Sequence, residues 1–113
     1  MEKLLSKTQE VTMNNIPASK KYEVALKTVH KILAEWKFSK AEQEGLLRNA
    51  SLTRLSRILN VYSLLRTMFS PERSAAWLRA ENEHFGGHTA SYIILRNENG
   101  IETVQKYLNL AYK

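Results

Sequence analysis

The sequence predicts an all-α protein, a compact bundle of about six helices, and two observations support that class. Apolar residues recur three and four positions apart over most of the chain, which is the periodicity of helices with one buried face. The 113 residues include only four glycines and two prolines, too few for the tight turns of an all-β fold. We identify no convincing strand, and the length fits a single domain.

The predicted helices follow one another after a polar start. Residues 1–19 are weakly periodic and end in a loop signal, so we interpret them as a flexible amino-terminal arm with at most one helical turn, over 3–9. Beyond the arm, apolar residues spaced as on one helical face predict helices over 21–36, 40–48, 52–69, 71–80, 90–95 and 101–112.

Capping residues and glycines predict where several helices begin. Ser39 precedes an acid with the spacing of a capping box, and Ser70 precedes a proline and an acid. Thr89 is a suitable N-cap, and it follows a Gly86–Gly87 pair that favours a tight turn. We also expect Gly100 to adopt a turn conformation that other residues resist.

Aromatic residues at helical spacing are interpreted as core residues rather than as stacking platforms for nucleic-acid bases. They are Trp36, Phe38, Tyr62, Phe69 and Trp77. If Trp77 is a core residue, its replacement by alanine should cost about 3–5 kcal/mol of stability.

Positive charge is concentrated in the first two-thirds of the chain. The net charge is +6, with +4 in residues 1–40, +3 in residues 41–80 and −1 in the remainder. Such a distribution can attract nucleic acid, but a solvated basic surface is an equally good interpretation. The arginines that could contact phosphates are Arg48, Arg54, Arg57 and Arg66.

Several classes of protein are disfavoured by composition. The chain has no cysteine, which excludes disulfides and thiolate metal sites. Its longest apolar runs are two to four residues, so no membrane-spanning helix is expected. Because the first residues also lack the apolar segment of a secretory signal, we expect a cytoplasmic protein.

No catalytic constellation is recognisable, and we predict no cofactor and no metal site. His84 and His88 are four residues apart, a spacing that on a helix would allow a shared metal ion, and the acids Glu81 and Glu83 are near. The glycines between the histidines make that helix doubtful, so we interpret both as turn residues. A small enzyme is therefore the weakest hypothesis, and His30, off the apolar stripe, is expected to be exposed.

Residues 71–108 resemble the toxin-binding domain of the Xre/MbcA/ParS antitoxin family. That domain has a helix ending in Trp-Leu, a polar linker, an apolar residue before a glycine-rich turn, a short helix, a glycine and a final helix. The matching residues here are Trp77, Leu78, Phe85, Gly86, Gly87, Thr89, Gly100, Val104 and Leu108. The segment 52–69 also resembles the preceding helix of the family.

The sequence departs from the family pattern in two places. Ala90 stands where the family usually has proline after the N-cap. Many members also carry a helix-turn-helix before the long helix, but here residues 38–51 have room only for the short helix 40–48. We therefore do not expect an intact DNA-reading helix pair.

The resemblance implies an antitoxin with a region 20–70 and a toxin-binding region 71–113. It would bind a RES-type, NAD⁺-consuming toxin directly, obstruct the toxin's active site and form a homo-oligomer within that complex. The implied toxin-binding residues are Phe85, Gly86, Gly87, His88, Thr89, Arg96, Lys106, Tyr107 and Tyr112. The alternative is a DNA-binding transcriptional autoregulator that contacts operator DNA through Arg48, Arg54 and Arg57.

Overall fold

The computed structural model describes residues 18–111, and these residues fold into six α-helices. The helices are α1 (Ala18–Glu35), α2 (Lys40–Leu47), α3 (Leu52–Met68), α4 (Pro71–Arg79), α5 (Ala90–Arg96) and α6 (Gly100–Ala111). A 3-10 turn at Glu83–Phe85 lies between α4 and α5. The only β-type pairing among the described residues is an isolated antiparallel bridge between Glu81 and Thr89. The predicted all-α class is confirmed.

The predicted helix boundaries agree with the observed ones to within a few residues. The helix α1 begins at Ala18, inside the segment interpreted as the flexible arm. The rest of that arm, the helical turn predicted at 3–9 and Tyr112 lie outside the described residues. None of the helices in residues 18–111 combines the length and the apolar composition that crossing a bilayer requires.

The predicted caps are present because each capping side chain satisfies a backbone N–H group that the first helical turn leaves unpaired. The Ser39 hydroxyl accepts from the Glu42 backbone N–H at 3.1 Å, and the Glu42 carboxylate accepts from the Ser39 N–H at 2.9 Å. The Ser70 and Thr89 hydroxyls accept from the backbone N–H groups of Arg73 and Tyr92 in the first turns of α4 and α5.

The end of α1 is a Schellman motif without a glycine. The Lys37 N–H donates to the Ala34 carbonyl and the Phe38 N–H to the Leu33 carbonyl, both at 2.9 Å. Lys37 has φ +70°, a left-handed conformation that side chains disfavour. Helix α1 therefore ends where the chain must turn sharply to bury Phe38.

One apolar core joins helices from both halves of the chain. Val29 and Leu33 of α1, Leu55 and Leu65 of α3, and Leu108 of α6 are completely buried in it. These side chains leave water together, so the basic amino-terminal helices and the carboxyl-terminal helices stabilise one another.

The interpretation of the tryptophans as core residues is correct for Trp36 and only in part for Trp77, which packs against the core. Trp36 is fully buried, with its ring 6.4 Å from Phe38 and 6.3 Å from Tyr62 between centroids. Trp77 is only partly buried, because its ring lies at the edge of the core.

Burial varies along the third helix. Leu52 is 47% exposed, whereas Val61 is fully buried. Leu52 is the first residue of α3, where the helix has only begun to approach the core.

Gly100 is required for a different reason from the one expected. Positive φ among the glycines is confined to Gly86 and Gly87, so the special turn conformation expected at Gly100 is wrong. A Cβ at Gly100 would instead collide with the Ile93 carbonyl group and lie 2.7 Å from Ile94 Cα. The glycine lets the backbone of α6 start directly against the backbone of α5.

Candidate protein-binding surface

The connection between α4 and α5 is a tight turn held by its own backbone. The Asn82 carbonyl accepts from the N–H groups of Phe85 at 2.9 Å and Gly87 at 3.0 Å, and the Asn82 N–H donates to the His88 carbonyl at 3.1 Å. Gly86 and Gly87 have φ +68° and +88°, which side chains resist. The turn predicted from the glycine pair is confirmed, and it presents an exposed rim at 86–88.

An aromatic cluster of Trp77, His84, Phe85 and Tyr107 attaches this turn to the final helix. Tyr107 stacks on Trp77, with ring centroids 6.3 Å apart and an angle of 17° between the rings. The Tyr107 ring also lies 4.2 Å from His84 and 5.3 Å from Phe85. Phe85 itself is 7% exposed, so its main contribution is to anchor the turn.

A second aromatic arrangement lies on the outer side of α5. His88 stacks on Tyr92 with the ring centroids 4.2 Å apart and 11° between the rings. The guanidinium carbon of Arg96 lies 5.1 Å from the centre of the Tyr92 ring. We call these three residues the His88–Tyr92–Arg96 stack.

Two other residues that the resemblance implies for toxin binding, Thr89 and Lys106, lie outside the aromatic cluster and the stack. The Thr89 hydroxyl accepts from the Tyr92 backbone N–H at 3.0 Å and lies 3.1 Å from the Ser91 hydroxyl, so it is already used inside the chain. Lys106 is exposed on α6. The structure therefore brings most of the implied residues to the turn, the stack and the outer side of α6.

Two of the four candidate phosphate-binding arginines, Arg54 and Arg57, bind residues in or just before α6. Arg57 lies 3.4 Å from the carboxylate of Glu102 and donates to Gln105 at 3.4 Å. Arg54 donates to the Glu98 backbone carbonyl at 3.3 Å. These bonds attach α3 to α6 and to the loop that precedes it.

The other two arginines differ in their surroundings. Arg66 donates to the Tyr62 hydroxyl at 3.0 Å and to the Phe69 carbonyl at 3.3 Å. Arg48 is exposed after α2, beside a hollow of about 320 Å³ that it shares with Arg54 and Glu98. The lining of the hollow thus carries two arginines and one glutamate.

The histidines do not converge on a common point. His84 contacts Tyr107, whereas His88 stacks on Tyr92, and no three His, Cys, Asp or Glu side chains within residues 18–111 gather closely enough to hold a metal ion. His30 is half-buried rather than exposed, and its Nδ1 lies 3.1 Å from the amide oxygen of Gln43. Gln43 belongs to α2, so His30 is half-buried because α2 packs beside it. The apolar pattern of α1 alone does not show this contact.

Tyr92 lies at the surface beside the predicted residues His88 and Arg96, and it is not among the residues predicted from the sequence. It is 37% exposed and forms the centre of the stack. Its position could have been predicted from the spacing, because His88, Tyr92 and Arg96 are four residues apart. Residues with that spacing are neighbours on a helix surface.

Comparison with known proteins identifies the part of the chain that contains the turn, the aromatic cluster and the stack. Residues 64–110 match the family described as the antitoxin Xre/MbcA/ParS C-terminal toxin-binding domain. No curated protein and no solved structure matches the chain. The match begins near the end of α3 and extends through most of α6, which confirms the resemblance stated above for residues 71–108. Residues 64–110 of this chain are thus similar to the Xre/MbcA/ParS C-terminal toxin-binding domain of antitoxins.

Proposed function

We propose that this chain is the antitoxin of a cytoplasmic toxin–antitoxin pair and that it neutralises a RES-type toxin by binding over the toxin's active site. The family match over residues 64–110 is the single observation that carries this proposal. The class of the toxin rests on the family resemblance, because RES-type toxins are the partners that it implies. Residues 71–113 are proposed as the contact region, in a complex that contains more than one copy of this chain.

The surface of this region is suited to binding a protein. Tyr92 and Leu110 are 37% and 83% exposed, so each leaves apolar area that a partner can remove from water. The turn that precedes Tyr92 is held by backbone hydrogen bonds and by buried Phe85. A surface that is already ordered loses little conformational entropy when a partner binds.

Neutralisation by occlusion requires binding and exclusion, and no bond is made or broken by the antitoxin. The toxin must bind NAD⁺ before it can consume it, so a protein seated over the substrate pocket lowers the rate by denying access. The expected consequence is mutual exclusion between this chain and NAD⁺ on the toxin, with equal effects on each other's affinity.

The proposal is tested with the RES-type toxin expected from the neighbouring reading frame. Co-expression of this chain should restore growth and cellular NAD⁺, and the purified chain should inhibit NAD⁺ consumption stoichiometrically. Titration calorimetry should show that the toxin, once bound by this chain, no longer binds NAD⁺. A toxin that remains lethal and fully active with an excess of this chain would contradict the proposal.

A truncation lacking residues 98–113 is not a clean test of contact. It would remove Ile101, Val104 and Leu108 from the core, so loss of neutralisation would follow from unfolding. Substitutions at exposed positions such as Lys106 and Leu110 are better, with exposed Arg48, outside the matched region, as the control.

Contact with operator DNA is a second proposed function, and we add lysines of α1 to its candidate residues. Arg54 and Arg57 are engaged within the chain, whereas Lys27 and Lys31 are exposed on the face of α1 opposite its buried face, where Lys20 also lies, paired with Glu23. Lysines in such a stripe can follow a phosphate backbone. A gel shift on the chain's own promoter, repeated at several salt concentrations, separates a preferred site from nonspecific attraction.

A further inference from the structure

The Tyr92 ring in the His88–Tyr92–Arg96 stack already has two neighbours within the chain. His88 and Arg96 lie four residues before and after Tyr92, and both are close to the tyrosine ring, at 4.2 and 5.1 Å. The imidazole and the guanidinium are thus both held at the Tyr92 ring. The stack offers a partner its polar edges, which are the imidazole nitrogens, the phenol hydroxyl and the guanidinium N–H groups.

Arg96 carries a charge that no acidic side chain within residues 18–111 neutralises through an ion pair. In the part of the chain that the structure describes, the ion pairs are Lys20–Glu23 and Arg57–Glu102, and neither includes Arg96. The Arg96 side chain is exposed, and its position over Tyr92 restricts the directions in which its N–H groups can point. An oriented guanidinium without an internal partner is complementary to a carboxylate, which it can bind through two parallel hydrogen bonds.

We propose that the stack is the part of the toxin-binding surface that recognises a carboxylate on the toxin, with Arg96 as the charged contact and Tyr92 as its support. The inference rests on the proposed function and adds a specific chemistry to it. Stacked bases of a nucleic acid require open aromatic faces, and His88 already stacks on the Tyr92 ring. Tyrosine and arginine are also the residue types that contribute most strongly to protein–protein binding.

The test measures the dissociation constant of the full-length chain and the purified toxin encoded beside it. Arg96→Gln removes the charge and should weaken binding roughly 30-fold or more, because a carboxylate on the toxin is left unpaired. Arg96→Lys should retain part of the affinity, since it keeps the charge but not the planar fork. Tyr92→Ala should weaken binding by releasing the Arg96 side chain.

The matched control is Arg66→Ala, which removes another arginine stacked on a tyrosine, with 5.8 Å between the Arg66 guanidinium carbon and the Tyr62 ring centre. This control should leave the affinity for the toxin unchanged. The loss of a charged contact must also reduce the salt dependence of binding in Arg96→Gln relative to the unaltered chain. Circular dichroism melting of each variant establishes that the exposed substitutions leave the fold intact.

The possible outcomes separate this inference from the proposed function. If the unaltered chain does not bind the toxin, both are wrong. If it binds and Arg96→Gln binds equally well, the toxin is the partner but the stack does not recognise it. A variant that loses affinity for duplex DNA while keeping its affinity for the toxin would assign the stack to nucleic acid and overturn the inference.

Discussion

At the scale of single residues, Gly100 illustrates how a glycine can be required by crowding alone. Its φ is not in the left-handed region, yet the Ile93 carbonyl and Ile94 Cα occupy the space that a side chain would need. Both neighbours are backbone atoms of α5, so neither can turn aside as a flexible side chain would. Any side chain at Gly100 must move one helix relative to the other.

Gly100→Ala should therefore lower the free energy of unfolding by about 1–3 kcal/mol, as expected for an overpacked site. Gly45→Ala is the matched control, because Gly45 lies inside α2 with open space around its Cα. That change should stabilise the protein by about 0.5–1 kcal/mol through helix propensity. Urea unfolding followed by circular dichroism measures both, and a stable Gly100→Ala variant would contradict the close helix approach.

The two tryptophans provide a second comparison at this scale. Trp36→Ala should cost about 3–5 kcal/mol because the whole indole is removed from the core. Trp77→Ala should cost less, about 1–2 kcal/mol, since part of the Trp77 ring already faces water. The same urea experiment ranks the two variants, and an equal or larger loss for Trp77 would place it deeper in the core than the structure does.

At the scale of elements, the end of α1 depends on an arginine from a distant helix. Arg79, the last residue of α4, donates to the carbonyls of Trp36 at 3.2 Å and Lys37 at 2.6 Å. Its guanidinium carbon also lies 5.2 Å from the centre of the Phe38 ring. A cation at a helix carboxyl terminus interacts favourably with the helix dipole. Arg79 thus joins the family-matched region to the first helix.

Arg79→Ala should destabilise the protein by about 1–2 kcal/mol, because two charge-assisted hydrogen bonds are lost at the end of α1. Arg73→Ala is the control: its guanidinium lies over the Phe69 ring, 5.7 Å away, and the loss should be below about 0.5 kcal/mol. Thermal unfolding compares the two variants. Equal melting temperatures would show that Arg79 does not hold α1 and α4 together.

At the scale of the whole molecule, the family-matched region and the amino-terminal helices share one core and a polar seam. The contacts of Arg57 with Glu102 and of Gln105 with Asn60, the latter at 2.7 Å, join α3 to α6 outside the core. A partner that binds the turn and α6 therefore binds a helix that α3 holds in place from the other side. The basic α1 is packed on that same α3, and its lysines remain exposed.

Predictions from sequence succeeded where the deciding interactions are local. The caps at Ser39, Ser70 and Thr89 and the Gly86–Gly87 turn each depend on neighbours within a few residues, so the sequence contains all the necessary information. The end of α1 was less well defined because its left-handed residue is Lys37, which carries no glycine signal.

The candidate site was predicted only in part, because exposure depends on distant segments. The turn was located from the family pattern, yet the burial of Phe85 and the half-exposure of Trp77 depend on Tyr107, which is twenty or more residues away in the chain. Arg54 and Arg57 were candidates for phosphate contact because α3 alone leaves them off the apolar stripe. Only the approach of α6 shows that they bond within the chain.

Periodicity, capping and motif order are properties of neighbouring residues, so the amino-acid sequence alone predicts the helical class, the order and approximate limits of the helices, and the similarity of residues 71–108 to the antitoxin domain. Tertiary structure decided which of the two tryptophans is buried, why position 100 must be glycine, and which cations remain available to a partner. These depend on how closely helices approach one another, and that distance is set by the packing of side chains distant in sequence.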